Sequence, residues 1–238
     1  MWKRRIVLGL SLLFILFALG TLALKLLYPA PDSGNGLPSG QRIALPAPSV
    51  KGGMSLTQAI ENRRSVRTYA SAPMTLAELG QVLWAAQGIT DLKAAKRTTP
   101  SAFGVHPLEV FVVADHVSGL SAGLYRYEPA GHRLTRLKSG KLTVELLAAV
   151  QQPTPWGAAA NLVIAGRIDR TQQFSASQAE RYVTLEAGHA AQNAVLQATA
   201  LDLGSVTIGG ISEDQSRRFL YLGKNWRVFY VVPLGHKE

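Results

Sequence analysis

Three short apolar runs, set far apart and separated by segments of helical period, constrain this chain most. PLEVFVVA (Pro107 to Ala114), NLVIAGRI (Asn161 to Ile168) and WRVFYVVPLG (Trp226 to Gly235) read as strands. GLYRYEP (Gly123 to Pro129) and HRLTRL (His132 to Leu137) alternate about a Pro-Ala-Gly turn and read as a hairpin. Ser55 to Asn62 reads as a short helix. Thr75 with Glu78 forms a capping box ahead of Leu76, Leu79, Val82, Leu83 and Ala86, and Gly88 ends that helix. Leu142 to Val150 is helical, and Ser177 to Leu203 is one long helix closed by Gly204. Ser205 to Ile208 returns as a strand, and Ser212 with Gln215 makes a second capping box for a helix through Leu222. The expectation is an α+β fold: a mixed sheet flanked by helices.

The 238 residues divide unevenly. Ile6 to Leu24 is a run of 19 residues without a charge, and at about 1.5 Å per residue a helix of that length spans most of a bilayer's hydrocarbon core. Residues 1–28 are therefore expected to be a transmembrane anchor, with a cleaved signal peptide as the alternative. Lys3, Arg4 and Arg5 precede the run, which predicts a cytoplasmic amino terminus and a domain on the periplasmic or extracellular side. Pro29 to Gly53 holds five prolines, five glycines and three serines, so residues 29–53 read as a flexible linker and 54–238 as the single folded domain. The formal charge is +10, but from Met54 onward 19 basic and 14 acidic residues leave only +5. Half the excess thus belongs to the anchor and linker, and the scattered remainder argues against nucleic-acid binding. There is no cysteine, which excludes disulfides and thiolate metal sites, and the five histidines show no metal-ligand spacing.

Several segments could carry chemistry. RRSVR (Arg63 to Arg67) puts three guanidinium groups and a hydroxyl in a short turn, a group suited to phosphate, although a solvated basic turn has the same composition. PSAFG (Pro100 to Gly104) offers small residues where a flat ligand could approach the backbone. Gly209-Gly210 lies between a strand and Ser212, where amides could face a ring edge or an anion. EAGHAAQN (Glu186 to Asn193) places Gly188 inside the long helix, and its small residues read as a subunit or core packing surface. His189 within it reads more readily as a hydrogen-bonded core residue than as an acid or base. Gly119-Leu120-Ser121-Ala122-Gly123 matches a hydrolase nucleophile elbow, with Asp169 and His189 in the matching order, but the β-like GLYRYEP follows where a helix is required.

In this order, RRSVRTY, LGQVLWAAQGIT, TTPSAFGVHPLEVFVV, GLYRYEPAGHRL, EAGHAAQNAVLQATALDLGSV and IGG resemble the nitroreductase family, especially its SagB-type dehydrogenase branch, from Met54 to Gly235. The resemblance implies an FMN-binding homodimer with a flavin at each subunit interface, reduced by NADH or NADPH and reoxidised in turn by a small-molecule substrate. It implies that Arg63, Arg64, Ser65 and Arg67 hold the FMN phosphate and ribityl chain. Pro100, Ser101 and Ala102 would line the flavin from the opposing subunit, and Gly209 and Gly210 would offer backbone donors near the flavin N5. No catalytic side chain is required, because the cofactor carries the hydride. The resemblance is incomplete in two places. Gly104 stands where many members carry an asparagine, which favours the SagB-like branch, and the chain stops at Glu238, where many continue to further basic residues. Four functions stay open: reduction of a nitro, quinone or similar acceptor, azoline oxidation, an unknown periplasmic redox step, and a membrane-tethered binding domain without turnover.

Overall fold

A computed structural model describes residues 40–238. The anchor expected over residues 1–28, and the linker up to residue 39, lie outside the described residues. Among those described, no helix is long and apolar enough to cross a membrane.

The first elements are β1 (Arg42–Ala44), α1 (Leu56–Asn62), β2 (Met74–Thr75), α2 (Leu76–Gln87), β3 (Ile89–Asp91) and β4 (Lys96–Arg97). After a 3-10 turn at Ala102–Gly104 come β5 (Leu108–Ala114), β6 (Val117–Ser118), β7 (Gly123–Glu128), β8 (Arg133–Ser139) and α3 (Thr143–Val150). The chain ends with β9 (Ala160–Arg167), α4 (Ile168–Gln172), α5 (Ala179–Ala200), β10 (Leu203–Ser205), α6 (Glu213–Phe219) and β11 (Trp226–His236).

One sheet runs in the order β1-β8-β7-β5-β9-β11-β10. The expected mixed sheet is antiparallel at every one of these pairings. Among the described residues, parallel pairing appears only at the margins, in the β2–β6 ribbon and in a bridge between Ser65 and Ser205 at the β10 edge. Helices cover both faces, which is why β5 and β9 read as continuous apolar runs rather than alternating ones. Leu108, Val110 and Val112 of β5 pack into the layer with α2 and α5, while Phe111 and Val113 pack into the layer with α3 and α6. Burying each such side chain stabilises the fold by about 1.5–3 kcal/mol.

The stretch expected to be linker is ordered before Met54. Arg42–Ala44 pairs with Arg133–Thr135, Leu45 enters the core, and Ser49 exchanges backbone bonds of 2.8 and 3.0 Å with the Gln81 side chain. Composition hid this strand, because one apolar anchor and a sheet edge suffice to order so short a segment. The capping boxes at Ser55–Gln58 and Thr75–Glu78 are both present. The one expected at Ser212–Gln215 is not: the Ser212 side chain makes no cap bond, and α6 instead has Glu213 and Asp214 in its first turn and Arg217 and Arg218 in its last. That helix ends at Phe219, short of Leu222.

The long helix also ends earlier than expected, at Ala200, and Asp202 with φ 59°, rather than Gly204, makes the turn that closes it. Gly204 sits in β10 for another reason. A Cβ there would lie 2.7 Å from Val66 Cγ1, so only glycine lets the Arg63–Arg67 loop approach the strand. Along α5, Val183, Ala187, Ala190, Ala191, Ala194 and Ala198 are buried against the sheet and α2, which explains its small residues as core packing. Gly188 faces the other way, with nothing within 4 Å of a Cβ, beside the exposed Leu185 and His189. His189 is thus not the core residue expected of it.

Candidate functional site

The Arg63–Arg67 loop begins where α1 stops. Arg63 caps that helix with extended backbone, φ −56° and ψ 120°, and turns the chain alongside β10. There the Val66 amide donates to the Ser205 carbonyl at 3.0 Å, and the Ala70 amide to His236 at 2.9 Å. The Tyr69 hydroxyl donates back to Val66 O at 2.9 Å, its ring lying over Gly235, where a Cβ would come within 3.0 Å of it. Burial holds the Tyr69 phenol above its ordinary pKa, so it stays a neutral donor. Five residues of loop are therefore held by two strands, a tyrosine and two glycines, which is pre-organisation at a sheet edge.

The three arginines differ. Arg64 Nη1 donates to the carbonyls of Glu61 and Arg63, both at 2.8 Å, and closes the last turn of α1. Arg63 and Arg67 have no ion pair or side-chain hydrogen bond among the described residues, and Ser65 and Arg67 are exposed. Two uncompensated guanidinium groups and a hydroxyl on one rigid edge suit an anion with several oxygens. Lys237, next to this edge in sequence, is bound to Asp202 at 2.6 Å.

Gly209 and Gly210 follow the Ile208–Val231 bridge and are exposed. Neither has a positive φ, and a Cβ on Gly210 would meet nothing within 4 Å of the chain itself. The backbone of this chain does not demand glycine there, so the space above it is open to a ligand.

Pro100, Ser101 and Ala102 form a separate group. Thr99 Oγ1 donates to Ala86 O at 2.7 Å, Thr98 Oγ1 to Trp84 O at 3.1 Å, and Asn193 Nδ2 to Thr98 O at 3.3 Å, tying the approach to α2 and α5. Ser101 Oγ accepts from the His106 amide at 2.9 Å. Phe103 and Gly104 then take left-handed backbone, φ 56° and 66°. Asparagine also tolerates that region, which gives a backbone reason why glycine stands at Gly104. Phe103 is exposed and stacks on Phe174 at 5.5 Å, with Tyr182 edge-on at 5.9 Å.

Beneath this turn lies a group that the motifs did not single out. Glu186 is 3% exposed, its carboxyl is reached by the Ser101 hydroxyl, and its Oε1 has no partner. Burial pushes it up to about 7, against the opposing pull of the Ser101 bond and the Arg97 charge. Arg97 Nη1 donates to Gln87 Oε1 at 2.8 Å and makes no salt bridge among the described residues. Burial lowers the Arg97 pKa, and burial together with Arg97 lowers that of His106. The sequence did hold a signal for Glu186, since it falls on the same helical stripe as Val183, Ala187 and Ala190.

The two groups sit at opposite ends of the sheet. β5 starts opposite Gly166, which pairs with Arg227, whereas Ser205 pairs with Leu234 at the far end of β11. With about 3.3 Å per residue and about 4.8 Å between strands, more than about 20 Å separates Leu108 from Ser205, the strand residues beside which the two groups are anchored. The hydrolase alternative fails separately, because Ser121 leads into β7 rather than a helix and Asp169 is bound to Arg167 at 2.5 Å.

The chain matches the family model described as the Nitroreductase family over residues 60–236. It is 38% identical over 185 residues to a protein of Methanocaldococcus jannaschii named as a candidate nitroreductase, covering 77% of this chain and 92% of that one. A crystal structure named as a candidate nitroreductase from Ralstonia eutropha superposes with a TM-score of 0.74 at 28% identity, over 88% of this chain and 94% of that one. The NADPH:FMN oxidoreductase of Vibrio harveyi shares the fold, with a TM-score of 0.55 at 21% identity over 77% of this chain and 69% of that one. With its fold and its length both matched, the chain belongs to the nitroreductase family and is an oxidoreductase.

Proposed function

We propose that the protein is FMN-dependent and passes electrons from NAD(P)H, or another donor, to a small nitro, quinone or related acceptor, each substrate binding in turn. The observation that carries this reading is the Arg63–Arg67 loop, pinned against β10 with Arg63 and Arg67 free of carboxylates. Arg63, Ser65 and Arg67 would hold the FMN phosphate, with Arg64 shaping the loop. Gly209 and Gly210 would give the isoalloxazine ring access to backbone amides. Bound FMN supplies hydride chemistry that no side chain of this protein has. The residues present fit that group: unpaired cations for its phosphate, and open space over glycine for its ring.

The same geometry supports a homodimer. Pro100, Ser101 and Ala102 are anchored at the opposite end of the sheet from Arg67 within one chain, so a second copy would bring them to the flavin. The α5 face carrying Leu185 and Gly188, unpartnered among the described residues, suits that contact. We place the domain on the outer side of a membrane, tethered by residues 6–24. On that side the donor in the cell would be one other than cytoplasmic nicotinamide, with NADPH serving as the donor in vitro, and protease protection in spheroplasts tests the placement directly.

Within the family glycine in place of asparagine at Gly104 favours the SagB-type branch, so azoline oxidation is the second reading, and a tethered binding domain without turnover is the third. Steady-state NADPH oxidation by the purified full-length chain, with a nitroaromatic and then a quinone as acceptor, separates them. Parallel-line ping-pong kinetics are expected. A protein that binds flavin, ignores both acceptors and aromatises a thiazoline peptide would replace this reading with the second, and one that binds flavin and turns over nothing would favour the third.

A further inference from the structure

Glu186 is an expensive residue to keep. A buried carboxyl oxygen without a partner destabilises the fold, and a glutamine or leucine would avoid the charge altogether. The carboxyl touches one polar group of the ligand-facing turn, the Ser101 hydroxyl. That hydroxyl accepts from the His106 amide, and its second lone pair can accept from the protonated Glu186 carboxyl, which leaves the Ser101 proton free for an acceptor. The other titratable and charged groups around it are Arg97 from β4 and His106 from the turn, with Tyr127, Glu109 and Arg170 acting in turn on Arg97. Arg97 and Gln87 also line a cavity of about 280 Å³, roomy and polar enough for water.

The proposed reaction has a proton requirement. Reducing a quinone to a hydroquinone takes one hydride and one proton, and reducing a nitro group to a nitroso group takes the same pair and releases water. The hydride carries two electrons and one proton from the reduced cofactor, whereas the second proton has no assigned source. We propose that Glu186, acting through the Ser101 hydroxyl, supplies that second proton to the acceptor oxygen in the active site that this turn completes on a second copy of the chain. Ser101 gives its hydroxyl proton to the acceptor and takes the carboxyl proton of Glu186, leaving a carboxylate that solvent protonates again. Glu186 is a positioning and proton-storing residue here; Ser101 is the group that meets the acceptor. A pKa raised to about 7 keeps the store partly filled at neutral pH. The inference rests on the flavin reading above.

The test uses the full-length holoenzyme, reduced anaerobically and mixed with 1,4-benzoquinone across a pH series. Wild-type reoxidation is expected to be level below pH 7 and to fall about tenfold per pH unit above it. Glu186→Gln is expected to be at least tenfold slower at pH 6 with no such break, and Ser101→Ala to match it, while Glu186→Asp restores part of the rate and the break. Reduction by NADPH, which consumes no second proton, should change far less. An infrared band of a protonated carboxyl, present at pH 6, lost at pH 9 and absent in Glu186→Gln, gives a readout independent of turnover. If Glu186→Gln does not fold, the Ser101→Ala profile and the wild-type infrared band decide. A wild-type break that persists unchanged in both variants, or no titrating carboxyl band, overturns the proton role and leaves the flavin reading intact. Wild-type protein that takes up no flavin overturns both.

Discussion

Replacing Arg63 and Arg67 together with alanine should strip FMN from the protein while leaving the fold standing. Each guanidinium–phosphate hydrogen bond contributes about 1.5–3 kcal/mol, so losing both weakens binding by roughly 10² to 10⁴. Neither side chain has a partner among the described residues, and surface changes of that kind shift stability by less than about 0.5 kcal/mol. Arg64→Ala should behave in the opposite sense. It removes the two bonds that close α1, costing about 1 kcal/mol of stability with a smaller effect on the flavin. Fluorescence titration with FMN and a thermal melt on each variant measure the two quantities separately. Equal losses of affinity from Arg64→Ala and the double variant would mean that the loop's shape matters more than its charges.

The second large effect concerns pH and stability. Glu186 titrates at about 7 in the folded chain, against an ordinary 4.5. Because folding raises this pKa, the stability tied to the neutral carboxyl is complete below about pH 4.5 and disappears as pH rises through 7. The difference corresponds to about 3 kcal/mol by pH 8. Glu186→Gln removes the titration, so wild type should lose about 3 kcal/mol relative to the variant between pH 4.5 and 8. For a chain of this size that moves the melting temperature by roughly 6 to 12 °C. Urea unfolding of both proteins at each pH gives the comparison, and parallel stability curves would show that Glu186 is charged and well solvated in the folded state.

Periodicity was the most legible part of the sequence. The strands at Leu108–Ala114, Ala160–Arg167 and Trp226–His236, the hairpin, and the helices opened by Ser55 and Thr75 follow from local pattern and capping chemistry. Pairing was not legible. Nothing in the spacing says that the main sheet is antiparallel throughout, or that Arg42–Ala44, inside a proline-rich stretch, closes one edge of it. Gly204 shows a local signal with a non-local cause: it resembled a helix stop, yet it is required by the approach of Val66 from a loop far away in sequence. Asp202 took the turn that the glycine was expected to make.

The candidate site divides in the same way. RRSVR was readable as a phosphate-type cluster from residue types alone, but which arginines remain available depends on Arg64 folding back onto Glu61 and Arg63. Pro100 to Ala102 looked like a plain loop, and its anchoring at the opposite end of the sheet from Arg67 emerges only from the strand order. Glu186 lay in full view on the apolar stripe of α5, where a carboxylate conflicts with its neighbours. Such conflicts between local rule and position are where function tends to sit.

The most direct measurement is the visible absorbance spectrum of the purified full-length protein, taken before and after NADPH is added without oxygen. The flavin reading predicts oxidised FMN bands that bleach on addition and return with a quinone. Bands that resist NADPH but bleach with dithionite would keep the flavin and assign another donor. A colourless protein that takes up no added FMN would contradict the account at its centre.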